Sequence, residues 1–338
     1  MISHRLTVFG CERDEGDLFS ELGPRFGVVP TLVAAVPSAA PILAAGSRCV
    51  SVGHRSEVSA RTLSALREVG VEHISTRSIG FDHIDLSAAD ALGMTVENVV
   101  YAPDGVADYT LMLILMSIRD ATRTTTASSK LDFRLGTARG RDLRDMTVGV
   151  VGVGSIGSAV IRRLSGFGCR VLANNGGRTA QATAEFTSLD ELLVECDIVT
   201  LHLPLNTETH HIIASAQFAT MKRGALLINT GRGALVDTPA LVAALEQGHL
   251  GGAALDVVEG EENLFYTDCA DRPVQDGSLL RLLRLPNVIV TPHTAYFTQR
   301  ALRDTVEGTL VKCVRFERFE RSRTNDHVDD RDLVRGML

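Results

Sequence analysis

The stretch Thr147-Val-Gly-Val-Val-Gly152-Val-Gly154-Ser-Ile-Gly157 is an apolar, strand-like run followed by a loop with the spacing G-x-G-x-x-G. A helical pattern over residues 159–164 follows the loop directly. In this context the first glycine permits a tight turn, the second lets the backbone approach a pyrophosphate, and the third lets the helix pack closely on the strand. We predict that the loop binds a dinucleotide. A tight turn without a ligand, or a site for another adenosyl compound such as S-adenosylmethionine, is the alternative.

Strand-like and helical patterns alternate along the chain, which indicates βαβ units and parallel sheets. Several such units precede the glycine-rich loop, so the dinucleotide-binding fold is predicted to be inserted into another domain. We place its entry near Pro103 and its exit near Thr298. The predicted fold class is α/β, with two doubly wound parallel-sheet domains: a Rossmann domain at 103–298, inserted into a flavodoxin-like substrate domain made of 1–102 and 299–338. The cleft between them is the expected ligand site.

Two segments at the predicted boundaries have unusual compositions. The helix expected over residues 106–118, with Asp104 as a plausible N-cap, is apolar nearly all round. A surface helix would carry a polar face, so this one is expected either in a subunit interface or as a core helix between the domains. The stretch 321–338 is dominated by charge and Asn or Asp, so we expect a frayed tail there.

Composition excludes several classes of protein. The 338 residues are 45% hydrophobic and 22% charged, which excludes disordered and collagen-like chains. The formal net charge of −7 offers no overall field for nucleic acid. The most apolar helix is shorter than the roughly 20 residues that span a membrane, and the N-terminus lacks an export signal, so we expect a cytoplasmic protein. The six cysteines show no C-x-x-C pair and no grouping with histidine, so we expect reduced thiols and no metal site.

Polar side chains follow three predicted strands, in the loops that contain Arg232, Asp256 with Glu261, and His293. Because ligands of open α/β sheets bind outside the carboxyl ends of strands, these loops are expected to converge beside the dinucleotide. Their residue types match the reduction of a 2-oxo acid. Arg232 would clamp the substrate carboxylate with two prongs, and His293 would supply the proton that the carbonyl oxygen needs. Glu261 would favour the imidazolium and fix the ring tautomer, while Asp256 would contact the cofactor or set the local charge.

Each of these residues also has a purely structural explanation. His293 could be a satisfied loop histidine, Arg232 a member of a structural ion pair, and Glu261 part of a solvated acidic run. Their joint occurrence after a dinucleotide loop favours the catalytic interpretation.

The end of the strand after the glycine-rich loop bears on the choice of cofactor. An NAD-specific site places Asp or Glu there to bind the ribose, whereas this chain has Asn174-Asn175-Gly-Gly-Arg178. The missing carboxylate removes a repulsion against a 2′-phosphate, and Arg178 offers that phosphate a partner. We therefore predict that NADP(H) is accepted beside NAD(H), with Arg178 as a solvated surface residue as the alternative.

Six segments in order resemble the D-specific 2-hydroxyacid dehydrogenases, over nearly the whole chain to about Glu320. The resemblance implies a homodimer through the helix after Pro103 and a catalytic Arg-Glu-His set on Arg232, Glu261 and His293. The segments are 77–85, 152–157, 203–204, 229–233, 253–257 and 291–295.

The same resemblance implies roles for residues in both domains. The amides of Ile79 and Gly80 would help hold the substrate carboxylate, and Tyr101 and Tyr296 would lie close to the substrate. The residues implied or predicted to contact the cofactor are Gly152, Gly154, Ser155, Ile156, Gly157, Asn175, Arg178, Leu203, Pro204, Thr209, Thr230, Gly231, Asp256, His293 and Ala295.

Within the family, the stretches 201–207, 228–237, 251–262 and 292–296 are most similar to VanH-type D-lactate dehydrogenases of glycopeptide (vancomycin) resistance. This implies reduction of pyruvate to D-lactate for peptidoglycan precursors that end in D-Ala-D-Lac. A family member acting on glycerate, phosphoglycerate or a branched 2-oxo acid is the first alternative. A dinucleotide-sensing regulator of the corepressor kind is the second, which the complete Arg-Glu-His set disfavours.

Overall fold

The computed structural model describes residues 4–136, 139–177, 183–262, 264–272, 274–275 and 277–324. The chain divides into two compact units, Met1–Ala102 with Gln299–Leu338 and Pro103–Thr298. Each unit is built on a parallel sheet, as the predicted fold class requires. Within the described residues, no helix is both long and apolar enough to cross a membrane.

The first unit begins with a five-stranded parallel sheet in the order β2-β1-β3-β4-β5. Its central strands β3 and β4 are buried along their whole length, as is typical of parallel strands that are covered on both faces. The strands are β1 His4–Phe9, β2 Val28–Val33, β3 Cys49–Val52, β4 His73–Thr76 and β5 Thr95–Asn98, and the helices between them are α1 Arg13–Leu22, α2 Ala60–Glu68 and α3 Leu86–Ala91.

Strand β2 was absent from the sequence pattern because Pro30 interrupts it. A proline cannot donate a backbone hydrogen bond and is therefore confined to edge strands, and β2 is the outermost strand of its sheet. The carbonyls of Gly27 and Val33 accept hydrogen bonds from β1 and its continuation, so odd-numbered residues of β2 face β1. Pro30 therefore turns its nitrogen to the outer side.

The second unit contains a seven-stranded parallel sheet in the order β12-β11-β10-β9-β6-β7-β8. Apolar clusters cover its two faces. The strands are β6 Thr147–Val151, β7 Arg170–Asn174, β8 Glu185–Phe186, β9 Ile198–Leu201, β10 Leu226–Asn229, β11 Gly252–Leu255 and β12 Val288–Val290. The helices are α4 Asp104–Ile118, α5 Ala121–Ser129, α6 Ser155–Leu164, α7 Leu189–Glu195, α8 Ser215–Thr220, α9 Thr238–Glu246 and α10 Gly277–Arg284.

The strand order of this sheet reverses between β6 and β9. The chain runs outward from β6 to β7 and β8, and then crosses back to β9, β10, β11 and β12 on the other side. Such a switch point opens a crevice at the carboxyl ends of the strands, and the glycine-rich loop follows β6 there.

The prediction that Asp104 caps α4 is wrong. Pro103 is the N-cap residue, and Asp104 is the first helical residue. The Asp104 carboxylate instead pairs with Arg163 of α6 at 2.8 Å, and Asp108 pairs with the same guanidinium. The Asp104 carboxylate therefore does not cap the helix, and the two ion pairs connect α4 to α6.

Helix α11, Gln299–Thr324, returns the chain to the first unit, where Val306, Leu310 and Cys313 pack with β1 and α1. The expected frayed tail from 321 onward is wrong for its first four residues, since the helix continues to Thr324. Arg and Glu are strong helix formers, so a stretch rich in both extends a helix. Residues 325–338 lie outside the described residues.

Candidate active site

The glycine-rich loop fits a dinucleotide phosphate group. Gly152 has a φ of 92°, and a Cβ there would lie 2.6 Å from the carbonyl oxygen of His202. A Cβ on Gly157 would lie 2.0 Å from the carbonyl oxygen of Gly152, so both positions require glycine. Nothing lies within 4 Å of a Cβ on Gly154, which is exposed with Ser155 at the N-terminus of α6. Open space beside a positive helix end is suited to a pyrophosphate.

Two of the described side chains beside this loop, His202 and Asn175, are neutral. Burial lowers the pKa of His202 to about 3, so its imidazole stays neutral next to the loop. The Asn175 side-chain oxygen accepts a hydrogen bond of 2.9 Å from the Val153 amide, so an amide group supports the loop where the NAD-type pattern has a carboxylate. Ile156 is half-buried against the core. The predicted partner of a 2′-phosphate, Arg178, lies outside the described residues.

Three loops at the carboxyl ends of β10, β11 and β12 are joined by direct contacts. A Cβ on Gly233 would lie 2.2 Å from the carbonyl carbon of Val258, so this glycine lets the loop after β10 touch the loop after β11. The amide of His293, after β12, donates to the carbonyl of Asp256 at 2.7 Å. The loops that carry Arg232, Glu261 and His293 therefore form one surface.

Asp256 supports the loop that carries His293. Its carboxylate is fully buried and accepts hydrogen bonds from the Thr291 hydroxyl at 2.6 Å, the Thr294 amide at 2.9 Å and the Ala295 amide at 2.8 Å. His293 itself has a φ of 52°, a left-handed conformation that is strained for a non-glycine residue. The Asp256 bonds stabilise this conformation, so the structure gives Asp256 a positioning role.

His293 faces a carboxylate and lies between two tyrosines. Its Nδ1 lies 2.6 Å from Glu261 Oε1, while Glu261 Oε2 accepts the Val258 amide at 2.7 Å. The Tyr266 hydroxyl donates to the His293 carbonyl at 2.8 Å, and the Tyr296 ring stands edge-on to the imidazole, 5.9 Å between centroids. One oxygen of Glu261 therefore hydrogen-bonds to the imidazole, and the other accepts a backbone hydrogen bond that fixes the carboxylate.

Arg232 is half-buried on a loop with fixed geometry. The Asn229 side chain donates to the Arg232 carbonyl at 2.8 Å and accepts the Gly231 amide at 3.0 Å, and Arg232 Nη1 donates to the Gly231 carbonyl at 2.9 Å. The asparagine thus closes the turn from both sides and sets the direction in which the guanidinium leaves the strand.

Some residues predicted to touch the cofactor use their side chains elsewhere. The Thr230 hydroxyl is buried and bonded to Thr110 of α4 at 2.9 Å. The Thr209 hydroxyl donates to the Pro204 carbonyl at 2.7 Å and so closes the turn after β9. Leu203 lies against Gly152, at 3.0 Å from the position of a Cβ there. These residues shape the crevice, and a cofactor contact from Thr230 or Thr209 would come from the backbone.

The first unit holds the remaining predicted substrate residues. The carbonyl of Ile79 accepts the Asn98 side chain at 2.6 Å, and the carbonyl of Gly80 accepts the Ser78 hydroxyl at 2.6 Å. Arg77 is buried and fixes the base of this turn through Glu15, at 2.6 Å. Tyr101 is half-buried near the end of the unit. Side-chain hydrogen bonds to the carbonyls of Ile79 and Gly80 thus fix the loop 77–80. Its role in substrate binding stays a prediction.

Sequence reasoning did not find three features of this region. It assigned nothing to Tyr266, and it did not find that Asp256 holds the His293 loop. It also expected no metal site, whereas the structure brings His210, His211 and Glu259 together. Only adjacency of the loops in space reveals these contacts, although the neighbouring pair His210-His211 is a local signal.

An imidazole held by a carboxylate, an arginine and a dinucleotide loop together suit hydride exchange with a carbonyl compound that carries a carboxylate. Residues 111–295 match the family described as D-isomer specific 2-hydroxyacid dehydrogenase, NAD binding domain. The chain belongs to this family. It is thus a D-2-hydroxyacid dehydrogenase with the family's NAD-binding domain.

Two relatives and a solved structure illustrate the breadth of this dehydrogenase family. The D-specific alpha-keto acid dehydrogenase of Enterococcus faecium is 57% identical over 314 residues, 93% of this chain and 97% of that protein. The aromatic 2-oxoacid reductase of Clostridium sporogenes is 35% identical over 319 residues, 93% and 96% of the two chains. The D-lactate dehydrogenase of Aquifex aeolicus, solved with NAD and lactic acid, has a TM-score of 0.84 at 32% identity and covers 95% of this chain and 98% of its own.

Proposed function

We propose that the chain reduces pyruvate to D-lactate with a reduced nicotinamide cofactor. The observation that carries this proposal is the 2.6 Å contact between His293 and Glu261 on the surface formed by the three loops. Glu261 fixes His293 through Nδ1, which leaves Nε2 as the ring atom that delivers a proton to the substrate oxygen. The bound cofactor supplies the hydride.

Arg232 binds the substrate carboxylate in this proposal. A planar guanidinium can hold a carboxylate with two parallel hydrogen bonds, which an ammonium group cannot do. Arg232→Lys should therefore raise KM for pyruvate by at least about tenfold despite the retained charge. An unchanged KM would assign the carboxylate to another group.

The preference for a small substrate is inferred from Tyr296, whose ring stands edge-on to the His293 imidazole and would take up space beside a bound carbonyl group. The test is a panel of pyruvate, a branched 2-oxo acid, phenylpyruvate and hydroxypyruvate, followed by the loss of reduced-nicotinamide absorbance, with chiral chromatography of the products. We expect pyruvate to give the highest kcat/KM and D-lactate as its product. A higher value for phenylpyruvate, the class of substrate named for the Clostridium sporogenes relative, would contradict the pyruvate assignment.

We also propose that NADPH is accepted beside NADH. The supporting observation is Asn175, whose side-chain amide occupies the place of the ribose-binding carboxylate. Asn175→Asp should restore the repulsion against a 2′-phosphate and lower kcat/KM for NADPH while that for NADH holds. A tenfold or greater preference of the unmodified enzyme for NADH would contradict the proposal.

A second copy of the chain is the proposed partner of α4. The supporting observation is a groove on this helix that combines exposed Met112 with Leu115, Phe167 and the Arg163 ion pair at its rim. A charge placed in an apolar interface of this kind prevents association. Met112→Glu should therefore convert a dimer into a monomer in light scattering, whereas a monomeric unmodified protein would contradict the proposal.

The D-lactate is proposed to serve peptidoglycan precursors ending in D-Ala-D-Lac, made in the cytoplasm during glycopeptide resistance. The resemblance of the stretches 201–207, 228–237, 251–262 and 292–296 to VanH-type D-lactate dehydrogenases supports this proposal. Deletion of the gene should remove the lactate-ending precursors from cell extracts in mass spectrometry, and exogenous D-lactate should restore them. Persistence of these precursors in the deletion strain would contradict the role.

A further inference from the structure

Three possible metal ligands of the second unit lie together outside the proposed catalytic set. The nearest ligand atoms of His210, His211 and Glu259 are all within 4.8 Å of one another. His211 Nε2 lies 2.9 Å from both oxygens of Glu259, and His210 Nε2 lies 3.7 Å from one of them. The two imidazole rings are 3.9 Å apart at their centroids. Two imidazoles thus approach the same carboxylate.

The backbone holds these side chains on two loops, after β9 and after β11. The His211 amide donates to the Ala234 carbonyl at 2.8 Å, and Ile213 forms a bridge with Val236, so the histidines are fixed to the segment after β10. Gly233 of that segment packs against the backbone of Val258, next to Glu259. The relative positions of the histidines and the glutamate are therefore set by backbone contacts.

We propose that His210, His211 and Glu259 bind a divalent transition-metal ion of the zinc class. In tetrahedral coordination, nitrogen and oxygen ligands stand about 3.3 Å apart, and the observed separations of 2.9 and 3.7 Å bracket that value. Two imidazoles and a carboxylate are ligands that Zn²⁺ prefers, and water completes the fourth position because the site is open to solvent. A metal ion could be bound by both imidazoles, whereas the hydrogen bond to Glu259 involves only His211.

The metal site is separate from the proposed reaction but shares a loop with it. Glu259 stands two residues before Glu261, and the Glu261 carboxylate holds the amide of Val258. A bound ion would therefore fasten the turn 258–261 to the His211 loop. Its expected effect is thermal stabilisation, because a ligand that binds the folded state alone raises the unfolding temperature.

The test is a titration of ZnCl₂ into metal-stripped full-length protein by calorimetry, with CoCl₂ as a spectroscopic probe of tetrahedral coordination. We expect one ion per chain, an intense visible Co²⁺ band and a raised unfolding temperature. His210→Ala, His211→Ala and Glu259→Gln should each weaken binding by at least about tenfold and remove the thermal shift.

Two matched variants distinguish this site from other groups. His249→Ala removes a half-buried histidine of the same unit that bonds to the Met221 carbonyl, and Glu261→Gln removes the carboxylate of the proposed catalytic pair. Both should bind Zn²⁺ as the unmodified protein does. The proposal is overturned if the unmodified protein binds no ion, or if Glu261→Gln abolishes binding while His210→Ala leaves it unchanged.

Discussion

His293 and His211 each face a glutamate of the segment 258–261, at 2.6 Å to Glu261 and 2.9 Å to Glu259. Both histidines have a left-handed backbone, with φ of 52° and 51°. The side chains of the first pair are each 17% exposed, and those of the second are each 33% exposed. The first loop is also fastened by a buried aspartate, whereas the second lies open to solvent. The two pairs thus contain the same residue types in different surroundings, and we propose proton transfer for the more buried pair and ion binding for the more exposed one.

The largest expected effect separates the two histidines. His293→Ala should lower kcat for pyruvate by about 10²- to 10⁴-fold, because the proton donor is lost, while cofactor affinity changes little. His211→Ala is the matched control and should retain kcat within about threefold in the presence of a chelator, since it removes a histidine outside the proposed reaction. Steady-state kinetics and cofactor fluorescence titration measure both. An equal loss of kcat in His293→Ala and His211→Ala would contradict the assignment of His293 alone as the proton donor.

The two glutamates give the next effect. Glu261→Gln should lower kcat by about 10²-fold, because the amide no longer stabilises the imidazolium or fixes the tautomer. Glu259→Gln changes the same charge two residues away and should leave kcat within about threefold under the same conditions. A kcat for Glu261→Gln as high as that of Glu259→Gln would mean that His293 works without its carboxylate.

A smaller effect is expected at Asp256, which holds the backbone of the His293 loop. An asparagine offers only one oxygen to the amides of Thr294 and Ala295, so Asp256→Asn should lower kcat by about tenfold and the unfolding free energy by about 1–3 kcal/mol. Asp237→Ala, which removes the side-chain cap at the N-terminus of α9, is the control that alters stability alone. Loss of stability with full kcat in Asp256→Asn would show that the strained loop needs no such support.

A third histidine shows the effect of deeper burial. His73 in β4 is buried, stacks on Phe316 and stands 3.9 Å from Glu97, and burial lowers its pKa from 6.5 to about 4. Because the unfolded state binds the proton first, this histidine costs no stability above pH 6.5, and stability falls as the pH drops toward 4. Lys312 and Arg315 also disfavour the charged ring, and Glu97 only partly offsets them.

This predicts a loss of about 2 kcal/mol between neutral pH and about pH 5 from His73 alone. Urea unfolding at the two pH values should show that His73→Gln loses correspondingly less than the unmodified protein. His249→Gln serves as the control for a histidine that is only half-buried. An equal pH-dependent loss in His73→Gln and the unmodified protein would contradict the assigned role of burial.

The sequence predicted those features that depend on local order. The loop from Gly152 to Gly157, the inserted position of its domain and most strands follow from spacing and periodicity, and Arg232, Glu261 and His293 follow from residue type at strand ends. The function of Asp256, the position of Tyr266 and the pairing of His211 with Glu259 depend on which loops lie side by side. Strand β2 was missed because its proline argues against a strand unless its place at the edge is known.

That edge position has a consequence for how the protein behaves in solution. An outermost strand presents a row of backbone groups to which another chain can add, and β2 also exposes Val29 and Leu32. With the nitrogen of Pro30 on the outer side, an incoming strand finds one donor missing in the middle of the row. Pro30 thus disfavours the addition of another strand at this edge, and with it aggregation through extension of the sheet.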